Sequence, residues 1–373
     1  MTASTGLYAC LYVKEFPAQS MLRLRPELRV QPCVVMEGEP PQEYAYSLNT
    51  KARKLGMAAG MTRVEVETFP AISVLSRSRM EEEAAKAALL ECSGAFSPRL
   101  EAGGRDRAFF CVLDIAGTEK LFGPPTSLAK SLLNRVRALG IGASIAISSN
   151  FHAAGCLARA QALRMGVSII PQGAESNTLS SLPLAVLDLS EEHAETFSLW
   201  GIRTLGMLAA LPEKELISRL GQEGKRLRQL ALGQRLHLFR PLESAFSLEE
   251  RMELDTSVEQ LEALLFVVNV LLDQLIVRAA SRTLALASVH LALSLEDKSS
   301  HLRTVRPALP TNDRQLWLKL LQLDLEAHPP QAPILSLTLT GDLVARARDD
   351  TVLCCCLLHD LRQDSWKMVG LYD

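Results

Sequence analysis

The stretch that most constrains this chain runs from Ala108 to Gly123, AFFCVLDIAGTEKLFG. Its first eight positions, Ala108 to Ile115, are apolar or nearly so apart from Asp114. Phe109, Phe110, Cys111 and Val112 favour strands, and the run is too short for a buried helix. Gly117 closes it, and Thr118-Glu119-Lys120 turns the chain into Leu121-Phe122-Gly123. The pattern predicts a central buried strand with one carboxylate, Asp114, near its exit. Whether that strand carries chemistry decides what the protein does.

The elements around it alternate. Leu7–Val13 predicts an apolar strand, and Ala18–Arg25 a helix that stops at Pro26. Met80–Ser93 has acids in its first turn and helical apolar spacing. Ser127–Leu139 predicts a helix, Gly142–Ser148 a strand and Asn150–Arg164 a small-residue helix. Sparse strands between helices packed on one face indicate an α+β, ferredoxin-like core with Val30 to Arg79 inserted. Within the insertion, Pro32–Met36 reads as a strand and Asn49 caps a short helix through Lys54. Lys51, Arg53 and Lys54 then lie close together, as a binding patch or as a solvated basic turn.

Composition matters where it limits function. The 373 residues are 48% hydrophobic and 22% charged, which describes a globular chain. No apolar run reads as membrane-length, and the N-terminus lacks the pattern of a secretory signal, so the cytoplasm is expected. Eight cysteines show no metal-ligand spacing; Cys354-Cys355-Cys356 would alternate faces in a strand, a poor cage. The net charge of −2 excludes a polybasic nucleic-acid binder, so any such binding needs a local basic region. One exists between Trp200 and Glu243. Helices ended by Pro212 and by Gly221-Gln-Glu-Gly224 resemble helix-hairpin-helix phosphate binders, and Arg203, Lys225, Arg226 and Arg228 belong to them. Phe246–Leu343 reads as helix, strand, strand, helix, strand, a small sheet with two helices on one face, and is richer in acids than bases. Arg251, Arg278, Arg282 and Arg303 could still segregate on one face of it. Val344 to Asp373 has no clear period.

From about Leu7 to Leu343 the chain resembles the Y-family, UmuC-like translesion DNA polymerases. NTKARKLGMAAGM is similar to their fingers motif, LDIAGTEKLFG to the hairpin strand after their catalytic Asp-Glu, and IAISSNFHAAGCLARAQA to their Gly-Ile-Ser-x-Asn-Lys helix start. The degenerate ImuB subgroup is the best match. The resemblance implies a palm (1–30 and 80–175), fingers (31–79), a helical thumb (176–243), an α/β little finger (244–343) and a tail (344–373). It also implies a two-magnesium site of three carboxylates. Aligned on Phe16-Pro17-Ala18-Gln19 and on Leu113-Asp114-Ile115, those acids fall on Tyr12, Phe109 and Phe110, which offer no hard anionic oxygen. Pro17 takes the steric-gate position and Thr50 that of a triphosphate-binding tyrosine, while Arg53 is retained. Asp106 and Asp114 lie roughly 10 and 16 Å along the strand from Phe109, too far to substitute.

The resemblance therefore implies no metal, no cofactor and no polymerase chemistry. It implies a DNA-binding adaptor of induced mutagenesis, with Arg53, Lys54, Arg203, Lys225, Arg226 and Arg228 on DNA. The implied partners are the sliding clamp, an error-prone replicative-type polymerase and a RecA-like cassette protein. A divergent active polymerase is the alternative, with an unrelated α+β enzyme behind it. Gln234–Phe239, QRLHLF, is either a clamp peptide or a linker strand.

Overall fold

A computed structural model describes residues 6–105, 107–242 and 248–345. Asp106 and the tail beyond 345, with its cysteine triplet, lie outside the described residues. The chain opens with β1 (Tyr8–Lys14) and α1 (Phe16–Arg23), then β2 (Cys33–Glu37), β3 (Tyr44–Leu48), α2 (Thr50–Lys54), α3 (Arg63–Glu67) and β4 (Ser73–Ser76). Next come α4 (Arg79–Gly94), β5 (Leu100–Arg105), β6 (Ala108–Asp114), α5 (Glu119–Phe122), α6 (Pro125–Ala138), β7 (Ser144–Ser148), α7 (Phe151–Ala160) and β8 (Val167–Ile169). Helices α8 (Glu175–Ser180), α9 (Glu191–Leu199), α10 (Leu205–Ala210) and α11 (Glu213–Ala231) follow. The last unit holds β9 (Glu249–Val258), α12 (Leu261–Ser281), β10 (Leu284–Leu295), β11 (Ser300–Val305), α13 (Arg314–Ala327) and β12 (Ile334–Ala345).

The expected buried strand is β6, inside a five-stranded sheet of order β5-β6-β1-β7-β8. Alternation along these strands sends Ala9, Leu11, Phe109, Cys111 and Ile145 to one face, against Leu89, Leu132 and Val136 of α4 and α6. Cys10, Tyr12, Val112 and Ala146 go to the other, against Ala154 and Leu157 of α7. Helices therefore cover both faces, where the sequence predicted one. The small side chains of α7 are the reason: they let that helix lie close on the second face.

Five strands escaped the sequence reading: the short β3, β4 and β8, and the longer β5 and β9. β5 contains Gly103 and Gly104 and pairs with β6, Leu100 opposite Leu113; glycines weaken a strand pattern. β9 alternates charges with Leu248, Met252 and Leu254, so its apolar count is low. In the insertion, a three-stranded sheet of order β3-β2-β4 carries α2, whose cap is Asn49 Oδ1 accepting from Ala52 N at 2.9 Å.

The last unit is a four-stranded sheet, order β11-β10-β12-β9. α12 is long and apolar enough, by length and composition, to cross a membrane, which corrects the sequence reading. Here Leu264, Val268, Leu271 and Leu275 bury one stripe of it against the sheet, in a core shared with Trp317 of α13.

Candidate functional site

In the β1–β6 ladder Tyr12 stands opposite Phe110, and Val13 opposite Phe109. Residues paired in this way share a face, and neighbours along a strand do not. Tyr12 and Phe110 thus come together on the α7 side and line a cavity of about 320 Å³ beneath the thumb helices. Phe109 goes the other way. Its ring packs 5.2 Å from that of Phe16 within the α4–α6 core.

The polar groups around the cavity are paired. Arg159 of α7 donates to Asp188 at 2.7 Å, and its guanidinium lies 5.7 Å from the centre of the Tyr12 ring. Burial pushes the Tyr12 hydroxyl up, so it stays protonated. His237 reaches Glu101 of β5 at 2.9 Å and stacks on Phe151 at 3.6 Å between ring centres. Burial, then the nearby His237, Arg235 and Arg226, lowers His152 to about 4. Cys156, on the same wall, is pushed up to about 11 by burial and is no thiolate nucleophile.

The turn after β1 joins palm to fingers. Glu15 has left-handed backbone (φ 52°, ψ 47°), a conformation costly for a residue other than glycine. That conformation points its carboxylate at the insertion, where it accepts from Ser47 Oγ at 2.8 Å and Leu48 N at 3.2 Å and pairs with Arg53. Arg53 therefore lies on a carboxylate of its own chain, in a second cavity that Lys14, Thr50 and Lys51 also line. Lys54 is exposed beside it. Asp114 pairs with Arg99 at 2.9 Å.

The thumb bases also have partners. α11 breaks at Gly221 (φ 62°, ψ −150°) as the glycine spacing predicted. Across the break Lys225 faces Glu213 at 3.6 Å and Arg228 donates to the Leu211 carbonyl at 2.9 Å, while beyond it Arg226 binds Glu223 at 2.7 Å. Arg203 is exposed at the start of the α10 turn. Arg53 and Lys54 stand on the insertion and the other four on the thumb, so the six form two groups.

Sequence reasoning set Glu15 aside as one misplaced acid at the turn after Tyr12 and missed its pairing with Arg53, along with Arg159, Asp188 and the His152–His237 pair. Glu15 follows a strand and precedes Phe-Pro, and nothing local marks its backbone. Arg159 had a usable signal: it is the one charged side chain in the apolar run Phe151–Ala160.

This arrangement of palm, inserted fingers, helical thumb and little finger is the Y-family DNA polymerase fold. The chain overlays the Dbh ternary complex with a TM-score of 0.52 at 16% identity, over 91% of this chain and 100% of Dbh. A Y-family Dbh–Dpo4 chimera gives 0.51 at 16%, over 90% and 98%. More particularly, residues 11–159 match the impB/mucB/samB family (IMS). DNA polymerase IV of Dehalococcoides mccartyi strain CBDB1 is 34% identical over 218 residues, 56% of this chain and 54% of that protein. Protein ImuB of Caulobacter vibrioides NA1000 is 31% identical over 140 residues, 38% of this chain and 29% of ImuB. The chain thus spans about half the length of the polymerase IV relatives it matches.

Proposed function

We propose that this protein is a non-catalytic member of the translesion polymerase fold, a DNA-binding adaptor in damage-induced mutagenesis in the cytoplasm. One observation carries the reading. At the palm hairpin, where the family resemblance puts metal-binding acids, Tyr12 and Phe110 face each other and Phe109 is built into the core. A two-magnesium site needs anionic oxygens at about 2.1 Å; the two phenylalanines offer no oxygen and Tyr12 only a protonated hydroxyl. The carboxylates bordering the same face, Glu15 and Asp188, already hold Arg53 and Arg159. Catalysis would then come from a partner, an error-prone replicative-type polymerase, brought together with this chain by the clamp and a RecA-like cassette protein.

Gln234–Phe239 supports the clamp reading only in part. Leu236 and Leu238 are exposed, at 92% and 79%, whereas Phe239 stacks on Tyr8. A partner could take the leucines at once but the phenylalanine only after it leaves the palm.

Primer extension with magnesium and with manganese tests the proposal. The expected result is no extension, together with binding of the same labelled primer–template in fluorescence anisotropy. Template-directed extension that disappears with Glu15→Gln or Asp188→Asn would overturn it in favour of a divergent active enzyme.

A further inference from the structure

The most concentrated set of buried charges lies away from the palm–thumb cavity, between the palm helices and the last unit. Arg23 of α1 donates to Glu250 of β9 at 3.0 Å, and both side chains are fully buried. Arg278 of α12 donates to the same Glu250 oxygen, Oε1, at 2.8 Å and, through Nε, to Glu91 of α4 at 2.8 Å. Arg282 adds a longer contact to Glu91, 3.3 Å, at the rim. A second pair lies alongside: Arg25 grips Glu81 at 2.8 and 3.0 Å and donates to the Glu253 carbonyl at 3.1 Å, while Glu81 accepts from the Glu253 amide at 3.3 Å.

Arg23–Glu250 and Arg278–Glu91 pair charges across the two bodies, whereas Arg25 and Glu81 pair within the palm and reach across only to the Glu253 backbone. Arg23, Arg25, Glu81 and Glu91 come from the palm, Glu250 and Arg278 from the last unit. Three arginines and three glutamates are buried together, so the set closes neutral, with Arg282 outside it. Apolar contacts run beside it: Leu24 enters the core of the last unit, and Val277 packs on the palm core.

We infer that this network fixes the last unit against the palm in one orientation, so that the two move as a single rigid body with or without nucleic acid. Buried ion pairs add little net stability over apolar packing, but they are intolerant of misalignment, because any slip leaves a charge dry and unpaired. An apolar face alone would allow sliding; four charges interlocked across the boundary, with a fifth and sixth holding the Glu253 backbone, do not.

The pairs are also shielded from ions, so salt does not loosen them as it would surface pairs.

Small-angle scattering on the whole chain tests this. The wild type is expected to fit one rigid envelope at 0.1 and 1 M NaCl, and the same palm-to-last-unit arrangement after a primer–template duplex is added. Arg23→Met leaves Glu250 with one partner too few, and Glu250→Met strands Arg23; each should shift docking by about 100-fold or more and expand the envelope. Arg23→Met with Glu250→Met removes a neutral pair and should restore the compact form. This rescue separates lost docking from misfolding, since a chain that merely misfolds would not recover with a second substitution. A wild type that needs several arrangements to fit, singles that scatter like wild type, or a double variant as expanded as the singles would overturn the inference.

Discussion

His152 sits on the wall of the palm–thumb cavity, edge-on to His237 at 5.1 Å between ring centres. Its folded pKa is about 4 against an ordinary value near 6.5, because burial and neighbouring positive charge disfavour the imidazolium. The unfolded chain therefore binds more protons than the folded one between those values. Stability should be fully present above about pH 6.5 and fall as pH drops toward 4, with a slope of at most about 1.4 kcal/mol per pH unit from this residue. Urea unfolding at pH 7, 5.5 and 4.5 measures it, and His152→Gln should flatten the decline. Arg53 gives a second expectation at this scale. A nucleoside triphosphate would have to take Arg53 from Glu15, without the tyrosine that Thr50 replaces. Binding of dNTP with magnesium should be no tighter than about millimolar, roughly −4 kcal/mol, and should not change with Arg53→Ala. Isothermal titration decides it; a micromolar constant lost in that variant would show a working pocket.

Among the elements, α11 and the last sheet compete for the role of DNA grip. Lys225, Arg226 and Arg228 sit just past the Gly221 break, each beside a carboxylate or carbonyl on the thumb surface. In the last unit Arg251 pairs with Glu249, Arg303 with Asp324 at 2.6 Å, and Arg278 is buried at the palm. Arg278 thus cannot join the basic face the sequence allowed for. The thumb is expected to supply most of the affinity. Changing its three bases to Ala should weaken duplex binding more than changing Arg251, Arg303 and Arg306 together, and should flatten the salt dependence by about 2–3 in log–log slope. The opposite order in anisotropy titrations would assign the grip to the last sheet. Deleting the whole last unit is a poorer comparison, because it strands Arg23 and Glu91 on the palm.

For the molecule as a whole, the periodic elements were legible in the sequence. α4, α6, β6 and α13 fall within two residues of expectation, since the helices each keep one buried stripe and β6 is a short apolar run buried on both faces. β3, β4, β5, β8 and β9 were not legible: they are short, glycine-bearing or charged, and depend on neighbours brought by tertiary contacts. The candidate site was half legible. Tyr12, Phe109 and Phe110 were found by alignment, but which side each ring takes follows from strand pairing, and a strand of unknown register has no assigned face. The interface charges could have been suspected. Arg278 continues the buried spacing Leu264, Val268, Leu271, Leu275 along α12, and Glu250 shares the inward parity of Leu248 and Met252.

The split of the three aromatic residues between two faces limits how three carboxylates at these positions could share one metal site. Tyr12→Asp and Phe110→Glu would put acids on the open side, next to a cavity that water and arginines can reach. Phe109→Asp would put one behind the sheet, in contact with Phe16, at a position 2% exposed. A lone carboxylate there would be protonated or would unpack the core, at a cost of several kcal/mol. Residue-for-residue replacement is therefore not a short walk in sequence space. The first two steps gain nothing without the third, and the third is penalised until Phe16 and the α4–α6 layer have been rebuilt around it.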